Sequence, residues 1–239
     1  MSQNKNVLIT GATGGLGASI ALEYAKNGFN LFLTGRNAKR LAFLCEKLKF
    51  EHPGILVDVE ICDLKIEEEV YNMIDKVREK YGQIDILVNC AGVFPVMSLP
   101  DTDLQQYKDC ISVNLTAPFI LMKEFSKEMT KKRWGRIINI ASSSAYAGGA
   151  RTSVYCASKH ALLGLSRSLF KELKNYNIRV LCVSPGSIKT NMGVAVEQLG
   201  QDYDTFLEPQ EIAKIIVSNS LLDGNLVSEE IRLNRMFVQ

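Results

Sequence analysis

An α/β architecture, a seven-stranded parallel sheet in three layers with helices on both faces, is predicted by two features of the sequence. Short β-branched runs alternate with longer stretches of helical period along the chain, and runs such as Ile84-Asp85-Ile86-Leu87-Val88 and Val180-Leu181-Cys182-Val183 carry apolar residues at positions of both parities. A strand covered on one side alone would alternate, so these strands are expected to be covered on both. In order, the expected strands are Val7 to Thr10, Asn30 to Thr34, Ile55 to Ile61, Ile84 to Asn89, Arg136 to Ala141, Ile178 to Val183 and Glu230 to Met236. Six helices are expected between them, including Leu16 to Asn27, Lys65 to Tyr81, Leu104 to Lys131 and Val154 to Asn175.

The 239 residues lie below the size at which cores divide, and no repeat or linker interrupts the pattern, so residues 1–239 are expected to form a single domain. A composition of 46% hydrophobic and 23% charged residues is that of an ordered globular protein. Twenty-eight basic against 26 acidic side chains leave a net charge of +2, too weak a field for nucleic acid or an anionic membrane as principal partner. The six cysteines include no CxxC pair, and His52 and His160 lie far apart, so neither a zinc site nor a disulfide framework is expected. The start Met1-Ser2-Gln3-Asn4-Lys5-Asn6 is polar, and no later run reaches the roughly 18 apolar residues of a membrane span. These features predict a cytoplasmic protein with reduced thiols.

In doubly wound sheets ligands bind beyond the carboxyl ends of the strands. After the first strand comes Thr10-Gly11-Ala12-Thr13-Gly14-Gly15-Leu16-Gly17, opening directly into a helix. Glycines there let the backbone approach a pyrophosphate at a helix amino terminus, the dinucleotide site of a Rossmann fold, although the Gly-xxx-Gly-x-Gly spacing is a variant of the commoner fingerprint. The second strand ends Leu33-Thr34-Gly35-Arg36-Asn37 and offers no carboxylate to a ribose 2′-hydroxyl. Arg36 suits a 2′-phosphate, which predicts NADP(H) in preference to NAD(H). Lys39 and Arg40 either add to that potential or form the solvated start of a helix. In Tyr155-Cys156-Ala157-Ser158-Lys159 a phenol and an ammonium lie four apart on one helix face. A cation there would bring the phenol down from its ordinary pKa of about 10, making Tyr155 a general acid or base.

Together these residues resemble the short-chain dehydrogenase/reductase family from Asn6 to about Pro209, closest in pattern to its 3-oxoacyl-carrier-protein reductases. The resemblance assigns Gly11, Thr13, Gly15, Leu16 and Gly17 to the cofactor loop, Arg36 and Asn37 to the adenosine ribose, and Asp63 and Leu64 to the adenine. It further assigns Asn89, Ala91 and Gly92 to the element after the fourth strand, and Pro185, Gly186, Ile188 and Thr190 to the segment that meets the nicotinamide. Asn114, Ser142, Tyr155 and Lys159 match the catalytic tetrad. By resemblance, Tyr155 exchanges a proton with the substrate oxygen and Ser142 donates to that oxygen. Lys159 acidifies Tyr155 and binds the nicotinamide ribose, while Asn114 anchors a water in a proton relay. Ser143 and Ser144 compete for the serine role, Asp63 could also cap a helix beginning at Leu64, and Asn89 could chiefly join strand ends. Cys90 and Cys156 read as apolar fillers rather than nucleophiles, and His160 as structural or interfacial.

Two departures from the family pattern stand out. Gly14 occupies a place where NADP-dependent relatives often carry a basic residue, and the carboxyl terminus lacks the Asp-Gly-Gly of many tetrameric members. A homodimer or homotetramer is expected.

The substrate, a small carbonyl or alcohol compound, is expected between Val93 to Pro95, Tyr146 to Thr152 and a short loop around 187–208 that includes Met192 to Phe206. Arg151 is the one charge near the mouth and suits an acidic tail, or else serves solubility. Lys131, Lys132 and Arg133 could dock an acyl carrier protein, or could simply complement a helix dipole; Tyr176 stands where a second docking arginine would be expected. A non-catalytic NADP(H)-sensing or scaffold protein is the alternative, which an intact tetrad disfavours.

Overall fold

The computed structural model describes residues 4–197 and 199–236. Residues 1–3 of the polar start, Gln198 of the 187–208 loop and the last three residues of the span 1–239 expected to form one domain lie outside the described residues. Seven strands run β1 Asn6–Thr10, β2 Asn30–Gly35, β3 Val57–Ile61, β4 Ile86–Asn89, β5 Gly135–Ile140, β6 Ile178–Pro185 and β7 Glu230–Leu233. The described α-helices are α1 Gly15–Lys26, α2 Ala38–Glu51, α3 Glu67–Tyr81, α4 Leu104–Ile111, α5 Ala117–Lys132, α6 Ser153–Leu173, α7 Asn191–Glu197 and α8 Pro209–Ser220. The strands form one sheet in the order β3-β2-β1-β4-β5-β6-β7, every pair parallel. This is the three-layer doubly wound Rossmann arrangement.

Residue parity divides the core into two faces, as the pleat requires. Val7, Ile9, Leu31 and Leu33 point to a layer built with Ile20 of α1, Leu44 of α2 and Ile216 of α8. Leu8, Phe32, Leu87 and Ile137 point the other way, onto Met73 of α3, Phe125 of α5 and Leu162 of α6. Both sets are almost entirely buried, which is why the strands show no apolar-polar alternation.

Several elements depart from the expected boundaries. The strand expected from Ile84 begins at Ile86, and the last ends at Leu233 rather than Met236. The single helix expected over Leu104 to Lys131 is three pieces: α4, a π-helical turn Ser112–Thr116, and α5. Asp103 starts α4 with a reciprocal capping box to Gln106, and the π-turn re-aims the chain at Asn114. The described helices number eight rather than six, because this division adds one and the short α7 another.

The connections from β1 and β4, neighbours at the centre, lead in opposite directions across the sheet, to β2 and to β5. Their carboxyl ends therefore splay apart, and a crevice opens there. Thr10 joins its two walls: its hydroxyl accepts the backbone N–H groups of Cys90 at 3.1 Å and Ala91 at 3.2 Å.

Candidate active site

A cavity of about 810 Å³ occupies the crevice, with Gly11 and Arg36 at one end and Tyr155 and Met192 at the other. Its floor is the glycine loop. Gly11 has φ +67°, and a Cβ there would lie 2.7 Å from Ala91 Cα; one on Gly17 would lie 2.3 Å from the Gly11 carbonyl oxygen. A Cβ on Gly15 would lie 2.9 Å from Thr190 Cγ2, so the segment after β6 closes over the loop only because position 15 is glycine. α1 starts at Gly14 with no side-chain cap and no acid in its first turn. Its free backbone donors and positive dipole end suit an anion. Loop and helix end thus form a cradle that side chains would fill, and the residues present fit a dinucleotide pyrophosphate.

Ser142, Tyr155 and Lys159 share the opposite wall. Ser142 lies just past β5, where its side chain accepts Ser144 N–H at 3.1 Å, while Tyr155 and Lys159 project from the first turns of α6. Ser143 and Ser144 also line the cavity. Tyr155 is 7% exposed and Lys159 4%. The expected acidification of the phenol is absent. Burial pushes Tyr155 up to about 12, with the Ser142 hydroxyl opposing, and brings Lys159 down to about 8. The reason is geometric: the ammonium donates to the Ile140 carbonyl at 2.8 Å and sits 5.7 Å from the Tyr155 ring centroid, so desolvation outweighs mutual attraction.

Asn114 sits in the π-turn, fully buried. Its Oδ1 accepts Val93 N–H at 2.9 Å and its Nδ2 donates to Val93 O at 3.0 Å, as a neighbouring strand would. The same Nδ2 donates to Ser158 Oγ at 3.0 Å, and Ser158 donates to Tyr155 O at 2.7 Å. Asn114 thus joins the loop after β4 to the helix that carries Tyr155. Thr10 opens the glycine motif, but its bonds to Cys90 and Ala91 could not be read from it; Ser158 was not singled out, because a lone hydroxyl within a helix carries no pattern of its own.

Asn89 does not line the cavity; its Nδ2 donates to Asn139 Oδ1 at 2.8 Å, joining β4 to β5. Asn37 is also off the wall. It caps α2 by accepting Arg40 N–H at 3.0 Å. Arg36 and Arg40 line the cavity beside Gly35. Asp63 and Leu64 line it too, but Asp63 caps no helix, because α3 begins at Glu67 and the carboxylate accepts Lys65 N–H at 3.1 Å in a local turn. Ala91, Gly92, Pro185, Gly186, Ile188 and Thr190 all reach the wall, as do Thr13 and Leu16.

The substrate end is bounded by Val93, Phe94, the run from Ala147 to Thr152, Met192 and Val196. Pro95, Tyr146 and Phe206 are not on it: Tyr146 turns away to donate to Glu230 at 2.7 Å, and Phe206 is buried beneath Gly193. Cys90 reaches the wall, yet burial pushes its thiol up to about 12, which suppresses the thiolate. All six cysteines are free. His160 is exposed, with Nδ1 2.8 Å from Cys156 O. In the basic cluster, Lys132 pairs with Asp85, and Arg133 donates to Asn175 O at 2.9 Å with its guanidinium 5.9 Å from the Tyr176 ring. Among the described residues no helix is long and apolar enough to cross a membrane, and no cluster of His, Cys, Asp and Glu could hold a metal ion.

The sequence pattern of the short chain dehydrogenases matches residues 5–199. The chain belongs to that family. An uncharacterized oxidoreductase of Staphylococcus saprophyticus is 33% identical over 215 residues, covering 90% of each chain. A 3-oxoacyl-[acyl-carrier-protein] reductase of Aquifex aeolicus is 33% identical over 228 residues, covering 90% of this chain and 89% of the relative. Among solved structures, an alcohol dehydrogenase of the archaeon Thermococcus sibiricus complexed with 5-hydroxy-NADP superposes with a TM-score of 0.89 at 26% identity, covering 99% of each chain. An actinorhodin polyketide ketoreductase with NADPH reaches 0.88 at 28% identity, covering 98% of this chain and 97% of that one. This short-chain dehydrogenase is therefore an NAD(P)-dependent oxidoreductase acting on CH–OH or C=O groups.

Proposed function

We propose that the enzyme is an NADP(H)-dependent carbonyl reductase of small molecules, with Tyr155 as its proton donor. The observation that carries this reading is the placement of Ser142, Tyr155 and Lys159 on one wall of the cavity whose other end is the glycine cradle. Bound NADPH supplies the hydride. The cradle and the α1 amino terminus hold the pyrophosphate, Arg36 and Arg40 the 2′-phosphate, and Asp63 and Leu64 the adenine. Tyr155 and Lys159 hold the nicotinamide ribose, and Pro185, Gly186, Ile188 and Thr190 the nicotinamide.

Tyr155 Oη hands its proton to the carbonyl oxygen of the substrate, while Ser142 Oγ donates to the same oxygen as charge develops on it. A phenol held near 12 keeps its proton at neutral pH, which suits reduction. Lys159 and the clamp of Asn114 on Val93 fix the geometry. The preference for NADP(H) rests on two guanidinium groups and the absence of an acid after β2, and four NADP(H)-bound structural neighbours are consistent with it. A homodimer or homotetramer fits the apolar side chains exposed on α4 and α5, Leu104, Tyr107 and Phe119.

The carrier-protein reductases among the relatives favour a second, narrower reading, in which the substrate is a 3-oxoacyl thioester. Docking of a carrier would fall mainly to Lys131, because Lys132 and Arg133 already have partners within the chain.

Oxidation of NADPH, with NADH in parallel, against ketones spanning 3-oxoacyl thioesters, sugars, steroids, quinones and diketones tests the reading, with Tyr155→Phe as control. Turnover that needs Tyr155 and favours NADPH is expected. Undiminished turnover by Tyr155→Phe removes the proton donor, and tight NADPH binding with no turnover at all moves the chain to the sensing alternative.

A further inference from the structure

Among the described residues, three other than glycine adopt left-handed backbone: Arg133, Arg151 and Asn177. Arg133 and Asn177 end helices, where that conformation is ordinary. Arg151 does not. It has φ +62° and lies immediately before Thr152, the residue that precedes α6 as its N-cap. Its backbone is held from two sides: Met97 N–H donates to Arg151 O at 2.8 Å, and Thr152 Oγ1 donates to Gly149 O at 2.9 Å. A long charged side chain is thus fixed at a position where glycine would sit without strain.

Arg151 lines the substrate end of the cavity, and among the described residues its guanidinium has neither an ion pair nor a hydrogen bond. The same cavity is lined by the apolar Val93, Phe94, Met192, Val196 and Leu199, along with Asn191 and Gln201. Gln201 has its Oε1 taken by Ser187 at 2.8 Å and Arg235 at 2.9 Å. The other cations on the cavity belong elsewhere: Arg36 and Arg40 follow β2, and Lys159 donates to Ile140 O. Arg151 is exposed at the cavity, and an unpaired guanidinium there suits a carboxylate or phosphate.

We propose that Arg151 binds an anionic group on the substrate, so that the enzyme prefers ketones bearing a carboxylate or phosphate away from the carbonyl. The assignment rests on the reductase reading above and names the substrate class of the same site. Two matched pairs test it on the NADPH-bound enzyme: levulinate against methyl levulinate for a carboxylate, and acetoacetyl-coenzyme A against acetoacetyl-N-acetylcysteamine for a phosphate. The quantity read is the ratio of kcat/KM for the charged over the neutral partner, in the wild type, Arg151→Gly and Arg151→Lys. Glycine suits the backbone at this position, so loss of fold does not confuse the result.

A ratio above one that falls about tenfold in Arg151→Gly, is mostly retained in Arg151→Lys and shrinks with added salt supports the anchor; the pair showing it identifies the anion. A ratio unchanged by Arg151→Gly, or a wild type that favours the neutral partner in both pairs, overturns it. Refusal of both pairs while other neutral ketones are reduced also overturns the anchor and leaves the reductase reading standing. Reduction of no ketone at all removes the reductase reading instead.

Discussion

The Phe94 ring meets the Tyr155 ring edge-on, with centroids 4.6 Å apart and planes at 83°. This contact helps keep water from the phenol and therefore helps hold its pKa high. Phe94→Ala removes an aromatic contact of about 0.5–1.5 kcal/mol, so kcat/KM for reduction is expected to fall about two- to tenfold. Water entering the gap lowers the phenol pKa from about 12, and the alkaline limb of the pH–rate profile moves to lower pH. A profile that keeps its alkaline limb in place counts against this shielding.

Lys159 carries the opposite shift, down to about 8 from 10.5, because burial disfavours its charge. Below pH 8 the folded and unfolded chains both hold the proton, and the full burial penalty opposes folding. Between pH 8 and 10.5 the folded chain has lost the proton and the unfolded chain has not, so stability rises with pH; above 10.5 the penalty is gone. Lys159→Met is therefore expected to abolish turnover yet stabilise the protein at neutral pH, by at most about 3 kcal/mol. Denaturant melts at several pH values should show the gap closing toward pH 10.5. A variant less stable than the wild type at neutral pH would mean that the bond to Ile140 O outweighs the burial cost.

Arg36 lines the cavity beyond β2 with no acid at that strand end. Charge-assisted hydrogen bonds of about 1.5–3 kcal/mol to the 2′-phosphate predict a roughly ten- to hundredfold loss of kcat/KM for NADPH in Arg36→Asp. The NADH value should hold or rise, since the new carboxylate can accept from a ribose 2′-hydroxyl. Equal losses with both cofactors would show that Arg36 serves the loop and not the phosphate.

The strands were legible because both faces of β1, β2 and β4 are buried, which leaves uninterrupted apolar runs such as Val7-Leu8-Ile9. The crevice followed from topology, since the glycine loop comes directly after the first strand. Other features were hidden for definite reasons. The π-turn at Ser112–Thr116 adds a residue to one helical turn, and the apolar spacing of α4 and α5 reads through it as one helix. Tyr155 and Lys159 do share a helix face at the spacing expected, yet spacing carries no information on burial, and burial set both pKa values. In sequence Asn37 reads only as a cofactor residue, and its cap on α2 was not foreseen although asparagine is a common cap. The bonds of Thr10 to Cys90 and Ala91 span about 80 residues, a separation that no local pattern encodes.

The clamp of Asn114 on Val93 separates a positioning role from a role in proton transfer. Asn114→Ala leaves the part-buried Val93 N–H and C=O without their partners, at a cost of up to about 1–3 kcal/mol for each. The loop bearing Phe94 then loosens against Tyr155, so KM is expected to rise along with a fall in kcat. Asn114→Asp still accepts Val93 N–H but loses the donor that served Val93 O and Ser158, and should lie between. Ser158→Ala keeps the Val93 pair and removes the link from Asn114 to α6 together with the bond of Ser158 to Tyr155 O inside that helix, so its KM should stay near that of the wild type. Steady-state kinetics and thermal melts of the three variants decide the matter. If Asn114→Ala lowers kcat with KM and melting temperature unchanged, Asn114 acts on the proton path itself and not through the loop it holds.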